Sequence, residues 1–168
     1  MKLDVGCGAR PSGDVNCDLY VRDVCNHRDT GVDNVLPVHS IPNFVCCDAL
    51  CLPFRDNAFS VVFCSQLIEH FASPMYLFRE LVRVSCDRVI VETVHRLGES
   101  FSSGKTHSKR WYKQHHVSKF NFRWLFQAGV ACGCKVIRDY VLDWYYFPNC
   151  YFTLFRVPHA IGVEFKKN

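Results

Sequence analysis

Glycines and acids recur in this sequence where apolar runs end, and these are the residue types that hold a nucleoside-like ligand. Leu3-Asp4-Val5 leads into Gly6-Cys7-Gly8, Asp14 to Leu19 carries Asp18 near its end, and Asn43 to Cys47 is followed by Asp48-Ala49. A fourth run, Phe59 to Cys64, is followed by Ser65-Gln66, and a fifth, Arg88 to Thr93, by His95-Arg96. Glycine lets a backbone approach a ligand closely. A carboxylate after the second run can accept both hydrogen bonds of a ribose diol, and one after the third can reach an adenine edge. Gly-x-Gly or a lone Asp at such a place is weak; four such ends in order are specific. His95 is the candidate general base because it directly follows the fifth run, against the alternative of a polar residue that closes a strand. Glu69-His70 is a second acid–imidazole pair, read more readily as structural, with the Glu reaching a backbone amide.

These residues need strands to carry them. The five runs read as strands, and a helix between the last two is signalled by Ser73 as N-cap, Pro74 at the first position, and Leu77, Phe78, Leu81 and Val82 at helical spacing. A second helix is expected after Ser118, with Phe122, Leu125 and Phe126 on one face and Gly129 as its stop. Lys135–Leu142, Tyr151–Val157 and Ile161–Phe165 read as further strands, with the aromatic stretch 144–148 in a connection between two of them. Strands alternating with helices, then a strand-rich tail, predict an α/β fold: a Rossmann-like, mostly parallel sheet with an antiparallel edge strand. No repeat or linker divides residues 1–168, so a single domain is expected. In such a sheet, ligands bind beyond the carboxyl ends of the strands, where the glycines and acids lie.

Composition narrows the classes. Apolar residues make up 49% and charged residues 21% of the 168, which argues against disorder and fibrous architectures. The apolar runs are strand-sized, no stretch reads as a membrane span, and Met1 to Gly6 lacks a signal-peptide core; the expected compartment is the cytoplasm. Eleven cysteines are many for that compartment. None is spaced as CxxC, and neither Cys46-Cys47…Cys51 nor Cys132-Gly-Cys134 matches a metal spacing, so no metal ligand set is read. Buried free thiols are the leading reading, with a disulfide or two as the alternative.

Taken together, Leu3-Asp4-Val5-Gly6-Cys7-Gly8, the run Cys47-Asp48-Ala49-Leu50-Cys51-Leu52-Pro53-Phe54-Arg55-Asp56-Asn57-Ala58-Phe59, then Leu67-Ile68-Glu69-His70 and Leu81-Val82-Arg83-Val84 resemble the class I S-adenosylmethionine-dependent methyltransferases. Within that class the likeness is to the group related to ubiquinone-biosynthesis methyltransferases, over roughly residues 2–94. The resemblance implies S-adenosyl-L-methionine as cofactor. It implies that Gly6 and Gly8 line it, with Asp4, Cys7 and Leu19 among the cofactor-binding residues beside them, that Asp18 takes the ribose, and that Asp48 and Ala49 flank adenine. Ser65 and Gln66 would face the reactive methyl. The sequence departs from the family between Gly8 and Val15: six residues stand where a helix is usual, and a looped crossover is expected. A cofactor without phosphate does not depend on a helix N-terminus, whereas NAD does, which disfavours NAD. Arg10 is the candidate partner of the cofactor's carboxylate, with a solvent-exposed loop arginine as the alternative.

Methyl transfer requires alignment and dehydration more than protein chemistry. No Asn/Asp-Pro-Pro-Tyr/Phe or Pro-Cys motif follows the fourth strand, which sets aside exocyclic amines and cytosine C5 as acceptors. Residues 95–123 hold seven Lys/Arg and one acid, a local +6, whereas the rest of the chain carries −2. Arg96, Lys109, Arg110, Trp111 and Tyr112 are therefore candidate acceptor-binding residues. RNA is one acceptor class and a small metabolite, lipid or sugar the other. A non-catalytic partner subunit that uses the same fold to dock another protein is the third alternative; a partner subunit or a homodimer is the expected assembly.

Overall fold

The structure is a computed structural model and describes residues 1–8, 10–19, 24–25, 35–36, 38–97, 116–146 and 156–168. Nine strands and two α-helices occur among these residues: β1 (Lys2–Val5), β2 (Val15–Asp18), β3 (Val24–Cys25), β4 (Val35–Leu36), β5 (Phe44–Cys46), β6 (Phe59–Ser65), α1 (Pro74–Val84), β7 (Ser85–Val94), α2 (Phe122–Ala131), β8 (Cys134–Tyr146) and β9 (Arg156–Lys167). Seven strands form one sheet in the order β5-β2-β1-β6-β7-β9-β8, and β3 pairs with β4 in a separate ribbon that the sequence did not announce. β5, β2, β1, β6 and β7 are parallel, while β9 runs antiparallel to both β7 and the edge strand β8. This is the expected Rossmann-like α/β sheet with its antiparallel edge. Strand order reverses at β1, so the crevice between the carboxyl ends of β1 and β6 is the topological switch point.

β1 reaches β2 without a helix among residues 10–14. The tight connection is held by a set of specific hydrogen bonds. Asp4 Oδ2 accepts from Ser12 N and Ser12 Oγ, Asp14 N donates to the Lys2 carbonyl, and Lys2 N donates to Asp14 Oδ2. Asn16, fully buried, accepts from Gly13 N and donates to the Gly13 and Pro42 carbonyls. A Cβ at Gly13 would lie 2.4 Å from the Val15 carbonyl oxygen, so the loop closes only with glycine there.

α1 and α2 pack on the same face of the sheet and meet at Phe165. The Phe78 ring of α1 stands edge-on to Phe165 at 5.2 Å, and a Cβ at Gly129 of α2 would strike the Phe165 ring at 2.4 Å. Leu77, Phe78 and Leu81 of α1 are fully buried against Val89, Val91, Val163 and Phe165. Burial of that stripe, at roughly 25 cal/mol per Å² of apolar surface, holds the helix to the sheet.

Several expected boundaries are corrected by these contacts. Gly129 does not stop α2: it lies inside the helix because the Phe165 ring needs the space, and Gly133, with φ +73°, follows the helix end. The helix starts at Phe122, with Asn121 Oδ1 accepting from Trp124 N at 2.9 Å as its cap. Ser73 occupies the N-cap position of α1 but its side chain makes no cap hydrogen bond. Trp144, Tyr145 and Tyr146 belong to β8 rather than to a connection after it, and Ile161–Phe165 lies within the longer β9.

Candidate functional site

The carboxyl ends of β1, β2, β5, β6 and β7 bring the predicted acids and glycines to one end of the sheet. Gly6 and Gly8 both have left-handed backbone, φ +73° and +51°, which carries the chain sharply off β1. Gly6 N and Cys7 N both donate to the Cys17 carbonyl at 2.8 and 3.1 Å, tying the turn to β2. A Cβ at Gly6 would press on Leu67 Cδ2 at 2.7 Å, whereas a Cβ at Gly8 would meet nothing within 4 Å. Gly8 therefore presents its bare backbone to open space.

Asp18 is fixed beside that turn. Its Oδ2 accepts from Gly8 N at 2.9 Å and its Oδ1 from Leu19 N at 2.7 Å. Each oxygen retains a lone pair, so the carboxylate is oriented and can accept two hydroxyl groups. Cys47 N donates to the Asp18 carbonyl, which sets Asp48 next to it. The exposed Asp48 turns back through its Oδ1 to Leu50 N at 2.8 Å, and Ala49 packs partly against the core. Leu19 is 66% exposed, an apolar side chain at the mouth of the crevice.

On the other side of β1, Ser65 closes β6 and Gln66 adopts φ +52°, a left-handed conformation uncommon outside glycine. Its N–H donates to the Glu92 carbonyl at 2.9 Å, so the turn is held by β7. Strain of about 1–3 kcal/mol in a non-glycine residue is the kind that functional turns retain.

Asp4 and Cys7 are buried under the turn rather than displayed on it. Asp4 is 3% exposed with its Oδ2 on Ser12, and burial raises its pKa above the ordinary carboxylate value. Cys7 is 6% exposed, and burial pushes its thiol up to about 12, so it is no nucleophile at neutral pH. Arg10 is exposed, with its N–H on the Cys7 carbonyl at 3.1 Å.

His95 lies just past β7 and is 7% exposed. Its Nδ1 accepts a long hydrogen bond of 3.3 Å from Leu97 N, and its backbone is held by the His159 carbonyl. Burial first, then the adjacent Arg96 charge, lowers its pKa below the ordinary value, partly offset by the Pro158 carbonyl. The imidazole is thus neutral at pH 7. Arg96 is exposed beside it, with its N–H on the Phe120 carbonyl. Lys109, Arg110, Trp111 and Tyr112 lie outside the described residues.

Cys7, Cys17, Cys46, Cys47, Cys51, Cys64, Cys86, Cys132 and Cys134 are free thiols, and Cys7, Cys17, Cys64 and Cys134 are buried. Each of those four has its pKa raised, chiefly by burial. What the sequence did not reveal is a convergence of Glu69 and His70 with His116, far away in the chain: one ligand atom from each lies within 4.8 Å of the others. A surface depression of about 590 Å³, lined by Asp87, Arg88, Lys135, Val136, Ile137 and Lys166, lies at the opposite end of the sheet.

Comparison with known proteins agrees with this geometry. A family model described as a methyltransferase domain matches residues 3–88, just over half of the chain. The chain is a class I S-adenosylmethionine-dependent methyltransferase. Its fold is shared by an S-adenosylmethionine-dependent methyltransferase of Thermotoga maritima, at 14% identity and TM-score 0.68, covering 100% of this chain and 82% of that one. Magnesium protoporphyrin IX methyltransferase of Synechocystis, solved with S-adenosylhomocysteine, aligns at 14% identity and TM-score 0.63 over 100% of this chain and 74% of that one. A methyltransferase of Methanosarcina mazei aligns at 11% identity and TM-score 0.65, over 99% and 91%.

The cofactor implied by the family, S-adenosyl-L-methionine, fits the residues present. Gly8 offers an open backbone face, Asp18 an oriented carboxylate with spare lone pairs, and Asp48 an exposed acceptor across from it. Among the described residues no helix is long and apolar enough to cross a membrane.

Proposed function

We propose that this methyltransferase modifies an anionic acceptor, RNA foremost, delivered to the crevice from the β7 side. The observation that carries this reading is the position of His95 and Arg96: they stand directly after β7, and the basic, aromatic run continues from them in the sequence. Lysine and arginine neutralise phosphates, and aromatic rings stack on unpaired bases. Arg96, Lys109, Arg110, Trp111 and Tyr112 form the acceptor side. A small-molecule acceptor is the second reading, because a chain of 168 residues offers little area for folded RNA without a partner subunit or a second copy.

When bound, S-adenosylmethionine supplies a methyl group already activated on a sulfonium. The chain's own residues then bind, align and exclude water. Asp18 accepts the ribose hydroxyls while Gly8 N–H and Leu19 N–H fix its carboxylate. Leu19 and Ala49 cover the apolar faces of the adenine, and Asp48 accepts from its amine. Gly6 and Cys7 shape the turn, Asp4 holds that turn through Ser12, and Arg10 pairs with the cofactor's carboxylate. Ser65 and Gln66 line the space where methyl and acceptor meet. His95, neutral at pH 7, takes the acceptor's proton at Nδ1 where one must be removed, once the long 3.3 Å hydrogen bond from Leu97 N opens.

The test is transfer of a tritiated methyl group into fractionated cell extract with RNase and protease controls. Label that disappears on RNase treatment supports the RNA reading. Label in RNase-resistant, low-molecular-weight material moves the assignment to the small-molecule acceptor.

A further inference from the structure

We propose that Glu69, His70 and His116 form a binding site for one divalent transition-metal ion at the acceptor side of the crevice. The site is built by the fold. Ile68–His70 is a short 3₁₀ turn that begins two residues after Gln66, so it hangs from the carboxyl end of β6. The chain returns alongside it at His116: Val117 N and Ser118 N both donate to the Glu69 carbonyl at 2.9 and 3.1 Å, and Ser118 Oγ donates to the Phe71 carbonyl at 2.8 Å. These bonds fix His116 against the turn. Glu69 is fully buried, and its Oε2 accepts from Thr93 Oγ1 at 3.0 Å, which orients the carboxylate. The His70 and His116 rings meet edge to face, at 69° with centroids 5.0 Å apart, rather than stacked.

Two imidazoles and one carboxylate are the donor set of zinc, cobalt, manganese or iron(II), and not of calcium or magnesium, which prefer oxygen. The three ligand atoms lie within 4.8 Å of one another, and a small side-chain adjustment on metal binding would bring them to the about 3.3 Å spacing of tetrahedral ligands with 2.0–2.1 Å bonds. A simple ion pair with Glu69 would use one imidazole, and charging both would set like charges side by side. A divalent ion accommodates two neutral imidazoles and compensates the buried carboxylate, while Thr93 supplies the outer hydrogen bond that holds such a ligand. Three protein ligands leave coordination positions for an oxygen of the acceptor. This last role rests on the proposed function; the binding of the ion does not.

Chelator-treated, desalted protein titrated with CoCl₂ decides the matter, because cobalt reports its own ligands in the visible spectrum. One equivalent should bind, with d–d bands and without the near-ultraviolet thiolate charge-transfer band that the cysteines would give. His70→Ala and His116→Ala should each weaken the apparent affinity at least tenfold; His70 is exposed, so its variant leaves the fold intact. Absence of stoichiometric binding, a thiolate band, or unchanged affinity in both variants would overturn the site. S-adenosylhomocysteine binding, measured in parallel by calorimetry, separates the two claims: retained cofactor binding without cobalt binding removes the metal site alone, and the reverse removes the cofactor reading alone.

Discussion

Gly6 and Gly8 share left-handed backbone, yet a methyl group would act differently at each. Both alanine variants incur the αL cost of about 1–2 kcal/mol. At Gly6 the new Cβ also meets Leu67, so the turn shifts and stability falls further; at Gly8 the Cβ projects into open space, where the proposed cofactor site lies. Thermal melts paired with S-adenosylhomocysteine titration should therefore show Gly6→Ala losing more stability and Gly8→Ala more affinity relative to stability. Asp18→Ala removes hydrogen bonds to a charged acceptor and should weaken S-adenosylhomocysteine binding by about 1.5–3 kcal/mol, a factor of roughly ten to a hundred and fifty. An unchanged dissociation constant would mean that Asp18 does not hold the ribose. At His95 the lowered pKa sets a sign: the folded protein holds the neutral ring to a pH below the ordinary 6.5, and activity is lost as pH falls through the lowered value. A pH–rate profile of His95→Gln should lack that acid limb; a limb identical to that of the native protein assigns it to another group. The glycines and acids were legible because one residue type answers one physical need at a strand end. His95 could be named but not its burial, which comes from β9 and from Phe120, remote in sequence.

At the scale of elements, part of the sequence motif serves the scaffold. Arg83 of α1 donates through Nε and Nη2 to Glu80, through Nη1 to Asp56 and the Phe54 carbonyl, and through Nη2 to the Leu52 carbonyl. Leu52 N donates to Glu80 Oε2, so one ion pair pins the loop that follows Asp48. Asp56 is largely exposed and adds little on its own. Arg83→Ala should cost about 2 kcal/mol in denaturant melts, after allowance for the partial exposure of Arg83. Hydrogen bonding from Arg83, ahead of all other causes, lowers the Glu80 pKa below the ordinary 4.5. That stabilisation is fully present above 4.5 and is lost as pH falls through the lowered value. Glu80→Gln should therefore flatten the acid limb of stability against pH; an unchanged slope below pH 4.5 would contradict the clamp. The parallel strands β1, β2, β5, β6 and β7 and the helix α1 were readable from apolar runs and from Pro74, because local pattern suffices for them. The end of α2 was misread because Gly129 is there for the Phe165 ring and not for a cap, and no local signal distinguishes the two. The length of β8 was misjudged for a related reason: register shifts at Val136/Arg138 and Val141/Asp143 let polar residues continue the strand.

For the whole molecule, the sheet order and the chain's charge asymmetry make different kinds of claim. The order β5-β2-β1-β6-β7 places the crevice at β1 and β6, and the sequence announced it through strand-end residues alone. The convergence of His116 on Glu69-His70 was not legible, since it depends on a return of the chain after β7 that no periodicity encodes. The local +6 of residues 95–123 predicts salt-sensitive RNA binding. In a log–log salt series, Lys109→Ala/Arg110→Ala should make the slope shallower by roughly one to two units, and equal slopes would remove those residues from the acceptor face. The crevice at the switch point is the proposed seat of S-adenosylmethionine. Isothermal titration with S-adenosylhomocysteine, beside NAD and ATP under the same conditions, tests it most directly. S-adenosylhomocysteine should bind saturably at one to one, and NAD and ATP should not bind; equal affinity for NAD, or no binding of S-adenosylhomocysteine by folded protein, would overturn the cofactor assignment.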